Sequence, residues 1–402
     1  MRESWNNALL VVWTLCLLGA LLLMGGVVME YAQPFYLAAA AFVGLWSLKL
    51  FFRSTTTWVW TPMHLPVIGL LAYTGLRWAT SPIPHEARQE FLNLSVYTLV
   101  YLGVSFNFYR SQHQRMILAL LIVMAVGESV YGYWQNFAGA DKVLWFARPS
   151  QYHGRASGTY ICPNHLAGWL EVVALLLLAQ LVINRRTSKS LERNVIIKLL
   201  EVIALVAVIA GLIVTHSRGG WMALCVGAIV FWFWAWRTKL MPPRVADISL
   251  LLLLALIAIG LLVPGLRHRW ADALSINLDY TFDYNIISHI NTSQEGRMEM
   301  TSAAWQMFLD HSLLGIGPGA WRWFNAQYRL ECLGSMIPHY AHNDLFQFAA
   351  EYGLVGLALL AATLICFFRQ AAVFTRSQYP NHQRALALGS ILAVCALLAI
   401  RW

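Results

Sequence analysis

The sequence predicts an all-α polytopic membrane protein with about 11–12 transmembrane helices and one long, partly helical loop. The chain has 402 residues, of which 59% are hydrophobic and only 12% are charged, whereas soluble domains average about 25% charged residues. The apolar residues form runs of about 17–25, the length that a helix needs to cross the hydrocarbon layer. Tryptophan is abundant, with 18 residues, and aromatic side chains favour the membrane–water interface. A membrane-embedded helical bundle accounts for all three observations.

The apolar runs define about eleven candidate spans. In chain order they are Ala8–Val28, Phe35–Phe52, Leu65–Thr80, Leu94–Phe108, Met116–Phe137, Leu166–Ile183, Val195–Val214, Trp221–Trp236, Ile248–Val263, Ala350–Phe368 and Ala385–Ile400. The first run is expected to be retained as a span, because no Ala-x-Ala-like cleavage site follows it. The chain ends inside an apolar run, and a final helix is expected to be missing. Three parts are predicted, namely an N-terminal transmembrane bundle over 1–263, a loop with the catalytic elements over 264–349, and C-terminal transmembrane helices over 350–402.

Positive charge predicts the orientation of the spans. With a cytoplasmic N-terminus, more than half of the 28 lysine and arginine residues fall in short cytoplasmic segments, as the positive-inside rule requires. The loop 264–349 then lies outside the cytoplasm, as do Cys162 and Cys332, whose pairing is left open. The net charge of +9 does not indicate nucleic-acid binding, because the basic residues lie between apolar runs and form no single stripe.

The long loop contains a predicted helix and a predicted turn. The pattern over Gly296–Asp310 is typical of a helix. The apolar side chains expected near one face of this helix are Met298, Trp305, Phe308 and Leu309. The glycine-rich run Gly315–Gly319 predicts a turn. It is not a nucleotide phosphate loop, because no Lys-Ser or Lys-Thr follows it.

The segment Thr215–Gly220, which reads THSRGG, lies between two apolar runs and is the first candidate for chemistry. Keeping Arg218 close to lipid costs free energy, and the glycines after it allow a tight turn or a close backbone approach. A helix-end arginine that extends its side chain to the interface explains the segment equally well.

Arg297 is the second candidate and lies at the predicted start of the loop helix. A cation there opposes the helix dipole, so another group is expected to hold it. The alternative is an exposed arginine paired with Glu295 or Glu299, and spacing alone favours this alternative.

The segment Pro338–Asp344, which reads PHYAHND, is the third candidate. His339 and His342 are three residues apart and would share one face of a helix. Neutral histidine is the usual general base near neutral pH. The alternatives are interfacial histidines or a metal pair, but zinc needs a third ligand and no His-Glu-x-x-His motif is present, so no metal site is predicted. Asn343 or Asp344 is expected to cap the following helix.

At this point the motifs resemble those of a known family. The stretch AHNDLFQFAAEYGLVGL, in which His342-Asn343 precedes Gly353 and Gly356, resembles the signature of the bacterial O-antigen ligase and O-antigen polymerase superfamily. Arg297, followed by FLDHSLLGIGPGAW at Phe308–Trp321, resembles the loop pattern of that family.

Two further motifs carry the same resemblance. Ser217–Gly220 is similar to the family's other arginine motif, and Gly158-Thr159 with Pro163–His165 is similar to its Gly-Thr and Pro-Asn segment before a membrane helix. The resemblance covers residues 150–370, and His339 is additional to the signature. Chain size and the His-Asn signature favour the ligase branch, which joins O-antigen to lipid A–core oligosaccharide.

The resemblance implies a bacterial inner-membrane glycosyltransferase with a periplasmic site. Its donor would be an undecaprenyl-pyrophosphate-linked glycan and its acceptor a sugar hydroxyl of lipid A–core, with no metal, nucleotide or other cofactor. His342 would act as general base, while Arg218 and Arg297 would hold the pyrophosphate in bidentate fashion. Direct attack by the acceptor implies inversion at the anomeric carbon. The residues expected to contact substrate are His339, Asn343, Arg322, Asn164 and Ser217.

Other functions remain open from the sequence. An O-antigen polymerase or a protein O-oligosaccharyltransferase would share the donor and differ in the acceptor. A transporter also fits many spans with charged residues, and Glu128, Glu171 and Glu201 lie in or near apolar runs. For these glutamates, buried and hydrogen-bonded side chains are favoured over a proton relay.

Overall fold

The structure is a computed structural model that describes residues 2–22, 29–52, 58–140, 142–183, 190–238, 251, 254–255, 258, 294–328, 338 and 340–400. These ranges are almost entirely helical. The helices are α1 (Arg2–Leu22), α2 (Met29–Phe51), α3 (His64–Thr80), α4 (Pro84–Asn107), α5 (Ser111–Phe137), α6 (Pro163–Ile183), α7 (Leu191–Val214), α8 (Arg218–Arg237), α9 (Gln294–Asp310), α10 (Trp321–Tyr328), α11 (Asp344–Phe374) and α12 (Asn381–Ile400). An antiparallel pair, β1 (Lys142–Val143) with β2 (Phe146–Ala147), precedes a 3₁₀ turn at Ser150–Tyr152.

The predicted spans coincide with helices wherever the structure describes them. Among the described residues, five helices, namely α5, α6, α7, α8 and α11, are long and apolar enough to cross a membrane. The predicted all-α polytopic membrane fold is therefore confirmed. Most of the predicted span Ile248–Val263 lies outside the described residues, as do residues 264–293.

The chain forms two compact units. The first unit takes in Met1–Ser54, Asn107–Leu274 and Gln370–Ile400. The second takes in Thr55–Phe106 and Ser275–Arg369, together with Arg401–Trp402. The division into 1–263, 264–349 and 350–402 stays a prediction.

In the first unit, α6 is the central helix of the core. Its sequence is apolar on every side, which is typical of a helix surrounded by other helices. It packs against α12, α7, α8 and α5, and Leu170 and Leu175 are fully buried. A Cβ atom at Gly220 or Gly227 of α8 would lie 2.6 Å from Ala167 Cβ or 2.5 Å from Leu175 Cδ1. The glycines thus let α8 approach α6 closely, as small residues do between membrane helices.

The outer surface of the same unit is apolar. Val195, Leu199 and Val206 of α7 are exposed. A continuous apolar surface of this kind is unfavourable in water and is typical of contact with a hydrocarbon environment. Helix α7 therefore combines a packed side with a side suited to lipid.

The helix predicted over Gly296–Asp310 is confirmed as part of α9, and of the side chains expected near one face Phe308 is buried, whereas Trp305 and Leu309 are not. Trp305 and Leu309 are 45% and 56% exposed. The buried side also carries Met300, Ala303, Ala304 and Met307. Small residues allow α9 to approach α10 closely, and large apolar residues of a membrane protein need not be buried in protein. Side-chain size was therefore a poor guide to the packed face.

Candidate active site

In the first unit, the turn between α7 and α8 presents Arg218. His216 adopts a left-handed backbone, with φ 50°, which reverses the chain after α7. Ser217 is the N-cap of α8, and its hydroxyl accepts a hydrogen bond of 3.3 Å from the Gly220 N–H. Arg218 is the first residue of α8 and is partly exposed. The guanidinium therefore belongs to a helix N-terminus, where the helix dipole favours anions.

A second arginine braces this turn from the segment before α6. Arg155, only 8% exposed, donates from Nε to the Thr215 carbonyl over 2.9 Å and from Nη2 to Asn164 Oδ1 over 3.0 Å. Arg148 Nη1 donates to the Arg155 carbonyl over 2.8 Å. Asn164, expected to contact substrate, thus lies in a network that ends at the residue before His216.

The Gly158-Thr159 motif is held by a buried carboxylate. Glu128 Oε2 accepts from the Thr159 N–H over 2.8 Å, and Glu128 Oε1 accepts from the Thr159 hydroxyl over 2.7 Å. Gly158 has φ 60°, and a Cβ atom there would lie 2.1 Å from Glu128 Oε2. Glycine is therefore required by both conformation and space. Glu128 is 5% exposed, which confirms the predicted buried, hydrogen-bonded glutamate.

In the second unit, α11 is broken at Gly353, which has φ 63° and ψ −164°. The break frees backbone groups on both sides, and the turn before α10 pairs with them. The bonds are Ile316 N to Ala350 O (2.9 Å), Gly317 N to Glu351 O (3.0 Å), Leu354 N to Ser312 O (2.7 Å) and Val355 N to Leu313 O (3.3 Å). The predicted turn at Gly315–Gly319 is thereby confirmed and has a structural role, because it satisfies the polar groups of a broken membrane helix.

Two side chains of α3 support the same turn. Tyr73 Oη lies 3.0 Å from the Leu314 carbonyl and 2.9 Å from the Tyr352 carbonyl. Arg77 Nη2 donates to the Gly315 carbonyl over 2.9 Å. Arg77, which lies inside the predicted span Leu65–Thr80, is therefore a buried structural contact.

Glu351 is a buried acceptor that joins three segments. It is 5% exposed and accepts from the Gly319 N–H over 3.0 Å and the Trp321 N–H over 3.3 Å. It also accepts from Gln347 Nε2 over 3.1 Å. Gln347 Oε1 in turn accepts from the Ala341 N–H over 2.9 Å.

His342 is exposed between two buried neighbours, Ala341 and Asn343. Its backbone is left-handed, with φ 55°, a conformation that is uncommon for residues other than glycine. Asn343 caps α11, as predicted, because its Oδ1 accepts from the Phe346 N–H over 3.3 Å. One sequence argument is wrong for His342, since it precedes the helix and cannot share a helical face with His339. His339 itself lies outside the described residues.

The remaining predicted site residues lie on α9 and α10. Arg297 is in the first turns of α9, as predicted, and its side chain lies outside the described part of the structure. Arg322 is partly exposed on α10, with its guanidinium carbon 5.9 Å from the Trp323 ring centroid. Trp321, Ala341 and Met300 belong to one buried apolar cluster. The fold of the second unit therefore brings α9, α10 and the His342 segment around a common core.

Within the first unit, Ser217 and Arg218 follow the α7–α8 turn, and Asn164 is linked to Thr215 of that turn through Arg155. Sequence reasoning missed Arg148, Arg155, Gln347 and Glu351. Glu351 carried a usable signal, because a carboxylate inside an apolar membrane run is typical of a specific role. Arg155 carried none, because nothing in its local sequence indicates a contact with Thr215. Cys162 forms no disulfide with a described residue, and Cys332 lies outside that part of the chain.

Residues 203–361 match the model of the O-antigen ligase family. The match includes Arg218, Arg297, Arg322, His342 and Glu351. A search of curated proteins gives no match. The family match, over about 40% of the chain, supports membership in the O-antigen ligase superfamily.

Proposed function

We propose that the chain is an O-antigen ligase of a bacterial inner membrane. It transfers a glycan from undecaprenyl pyrophosphate to a sugar hydroxyl of lipid A–core oligosaccharide, at a site that faces the periplasm. The family match supports lipid-linked glycan transfer, and the five apolar helices support action within a membrane.

The observation that carries this proposal is the presentation of His342. An exposed imidazole stands on a left-handed residue between two buried neighbours. Such a backbone costs about 1–3 kcal/mol and persists only where surrounding contacts hold it, which is typical of functional sites. A histidine held in this way suits a general base near neutral pH.

Arg218 and Arg297 bind the pyrophosphate in this mechanism. Two guanidinium groups offer bidentate hydrogen bonds to phosphate oxygens, which the point charge of lysine does not match. The α8 N-terminus adds backbone N–H groups beside Arg218. Ser217, Asn164, Arg322, Asn343 and His339 are assigned to substrate binding.

The reaction is a single displacement. The acceptor hydroxyl oxygen attacks the anomeric carbon of the donor as His342 takes the hydroxyl proton. A new glycosidic C–O bond forms, the C–O bond to phosphate breaks, and undecaprenyl pyrophosphate leaves with the bonding electrons. The two arginines stabilise the charge that develops on the leaving group. Attack from the opposite face inverts the anomeric configuration, and no metal or other cofactor takes part.

The test uses the purified full chain in liposomes with undecaprenyl-pyrophosphate glycan and rough lipopolysaccharide, in the presence of EDTA. We expect a ladder of modified lipopolysaccharide from the wild type. Transfer should fall at least about 100-fold in His342→Ala, since general bases contribute about 10²–10⁴. His85→Ala is the matched control, because His85 is an exposed histidine on α4.

Full activity of His342→Ala would show that His342 is not the general base. Full activity of both Arg218→Ala and Arg297→Ala would show that these arginines do not stabilise the pyrophosphate. Growth of glycan on the lipid carrier would assign a polymerase, and glycan on a protein acceptor would assign an oligosaccharyltransferase. Solute flux without glycan transfer would assign a transporter.

A further inference from the structure

We infer that Glu351 and Gln347 are positioning residues that hold His342 in the orientation needed for proton transfer. This inference rests on the proposed function of His342. It adds a buried carboxylate and an amide that neither touch the substrate nor carry the proton. They connect the turn before α10 to Ala341, the residue before His342, through consecutive hydrogen bonds.

First, the hydrogen bonds of Glu351 indicate that its side chain is a carboxylate that accepts and does not donate. Three donors surround it, from Gly319 N, Trp321 N and Gln347 Nε2, at 3.0, 3.3 and 3.1 Å. Three donors favour a carboxylate that acts only as an acceptor. Because backbone N–H groups supply two of these bonds, the position of Glu351 is set by the turn and not by a mobile side chain.

The second step is the orientation of the Gln347 amide. A carboxylate that only accepts requires the NH₂ end of Gln347 to point toward Glu351. The amide oxygen then points the other way, where it accepts from the Ala341 N–H over 2.9 Å. Glu351 therefore selects one of two amide orientations, and that choice places an acceptor at the backbone before His342.

The third step concerns the backbone of His342 itself. A left-handed conformation at φ 55° is less favourable than an extended one for a residue with a Cβ atom. The flanking residues are held by the Ala341 bond to Gln347, by the Asn343 cap of α11 and by the Asn343 carbonyl, which accepts from the Gln347 N–H over 3.0 Å. Loss of the first contact would let His342 relax toward an extended backbone and move its ring away from the reacting hydroxyl.

The substitution Glu351→Gln tests this chain of contacts. Glutamine keeps the size of the side chain but offers one acceptor oxygen, and its NH₂ group would face a donor. A displacement of about 1 Å at a reacting group can cost about 100-fold in rate. We expect kcat to fall about 100-fold while KM for the lipid-linked donor stays within about twofold, because the arginines that bind it are untouched.

A double-mutant cycle separates positioning from general damage to the fold. If Glu351 acts through His342, Glu351→Gln should cost about 100-fold in the wild type and less than about threefold in a His342→Ala background. An equal loss in both backgrounds would overturn the inference. Glu201→Gln is the matched control, because Glu201 pairs with Lys198 on α7 and is remote from these contacts in the chain.

The exchanged pair Gln347→Glu with Glu351→Gln provides a rescue test. A carboxylate at 347 can accept from Ala341 N and from an amide at 351, which restores the link to His342 but leaves one turn N–H unpaired. We expect its kcat to exceed that of either single variant. A double variant no better than the singles would overturn the role of the link.

Hydrogen exchange and a substitute variant test the same contacts independently of the rate measurements. Hydrogen exchange of the peptide 338–347 should be faster in Glu351→Gln, while the peptide 381–400 of α12 should not change; unchanged exchange at 338–347 would overturn the inference. If Glu351→Gln does not fold, Gln347→Leu takes its place in the cycle, because leucine cannot accept from Ala341. A fully active His342→Ala would instead overturn the proposed function, and the inference with it.

Discussion

Arg155 Nε donates a hydrogen bond of 2.9 Å to the carbonyl oxygen of Thr215, 60 residues later in the chain. The same guanidinium reaches Asn164 Oδ1 from Nη2 over 3.0 Å. A planar fork of fixed geometry is needed to bond both acceptors at once. The contact joins the segment before α6 to the turn that presents Arg218, and so couples two sequence motifs of the first unit.

Replacing the Arg155 guanidinium with the ammonium of lysine should destabilise the α7–α8 turn. Arg155→Lys cannot keep both bonds, and a lost bond to a buried charged group costs about 1.5–3 kcal/mol. We expect a lower melting temperature in detergent and a transfer rate reduced about tenfold. Arg237→Lys, at the exposed end of α8, should change neither. Wild-type stability of Arg155→Lys would show that Thr215 does not depend on this contact.

A side chain at Gly158 would collide with Glu128 and would also have to adopt a positive φ. Two substitutions separate the steric cost from the conformational cost. Gly158→Ala meets both a positive φ of 60° and the Glu128 carboxylate, whereas Gly139→Ala meets the same φ with nothing within 4 Å. The conformational strain costs about 1–2 kcal/mol in each case. We expect Gly158→Ala to lower the melting temperature further than Gly139→Ala and to disrupt the Glu128–Thr159 pair. Equal losses in thermal unfolding would contradict the packing described for Gly158.

The break in α11 predicts that Gly353 cannot carry a side chain. Gly353→Ala would place a Cβ atom 2.6 Å from Leu313 O and Gly315 N at a φ of 63°. We expect a loss of at least about 2 kcal/mol in unfolding free energy, together with loss of transfer, because backbone cannot yield as a side-chain tip does. Gly44→Ala in α2 is the control, since nothing lies within 4 Å of its Cβ position. A helical glycine of that kind should gain about 0.5–1 kcal/mol.

Asn343 is assigned both a cap and a substrate contact, and two substitutions separate them. Asn343→Asp keeps an oxygen for the Phe346 N–H and is expected to retain stability, whereas Asn343→Ala should lose about 1 kcal/mol. If the amide also binds substrate, Asn343→Asp should still reduce transfer, because it loses its donors and adds negative charge near a pyrophosphate. Thermal unfolding and the lipopolysaccharide ladder measure the two effects. If Asn343→Asp is stable and transfers glycan at the wild-type rate, Asn343 caps α11 but does not bind substrate.

Much of the fold and several site features could be read from local sequence. Apolar runs predict helices because each helix satisfies its own backbone and needs only a length of suitable residues. The turn at Gly315–Gly319 could be predicted from the backbone freedom of its glycines, and the cap at Asn343 from its position three residues before Phe346, because both features are local. The spacing of histidine, asparagine and glycine before and within α11 was also sufficient to indicate the superfamily.

The long-range contacts were decided only by the tertiary structure. Glu351 and Gly319 are 32 residues apart, and Tyr73 and Tyr352 are 279 apart, so no local pattern relates them. Trp305 and Leu309 were grouped with Phe308 on one face of α9, but only Phe308 is buried, because side-chain size by itself does not identify burial. The sequence by itself determined the helices, the turns and the chemical groups near them. Which groups meet was determined by packing, because a buried polar atom is stabilised only by a partner that the fold brings to it.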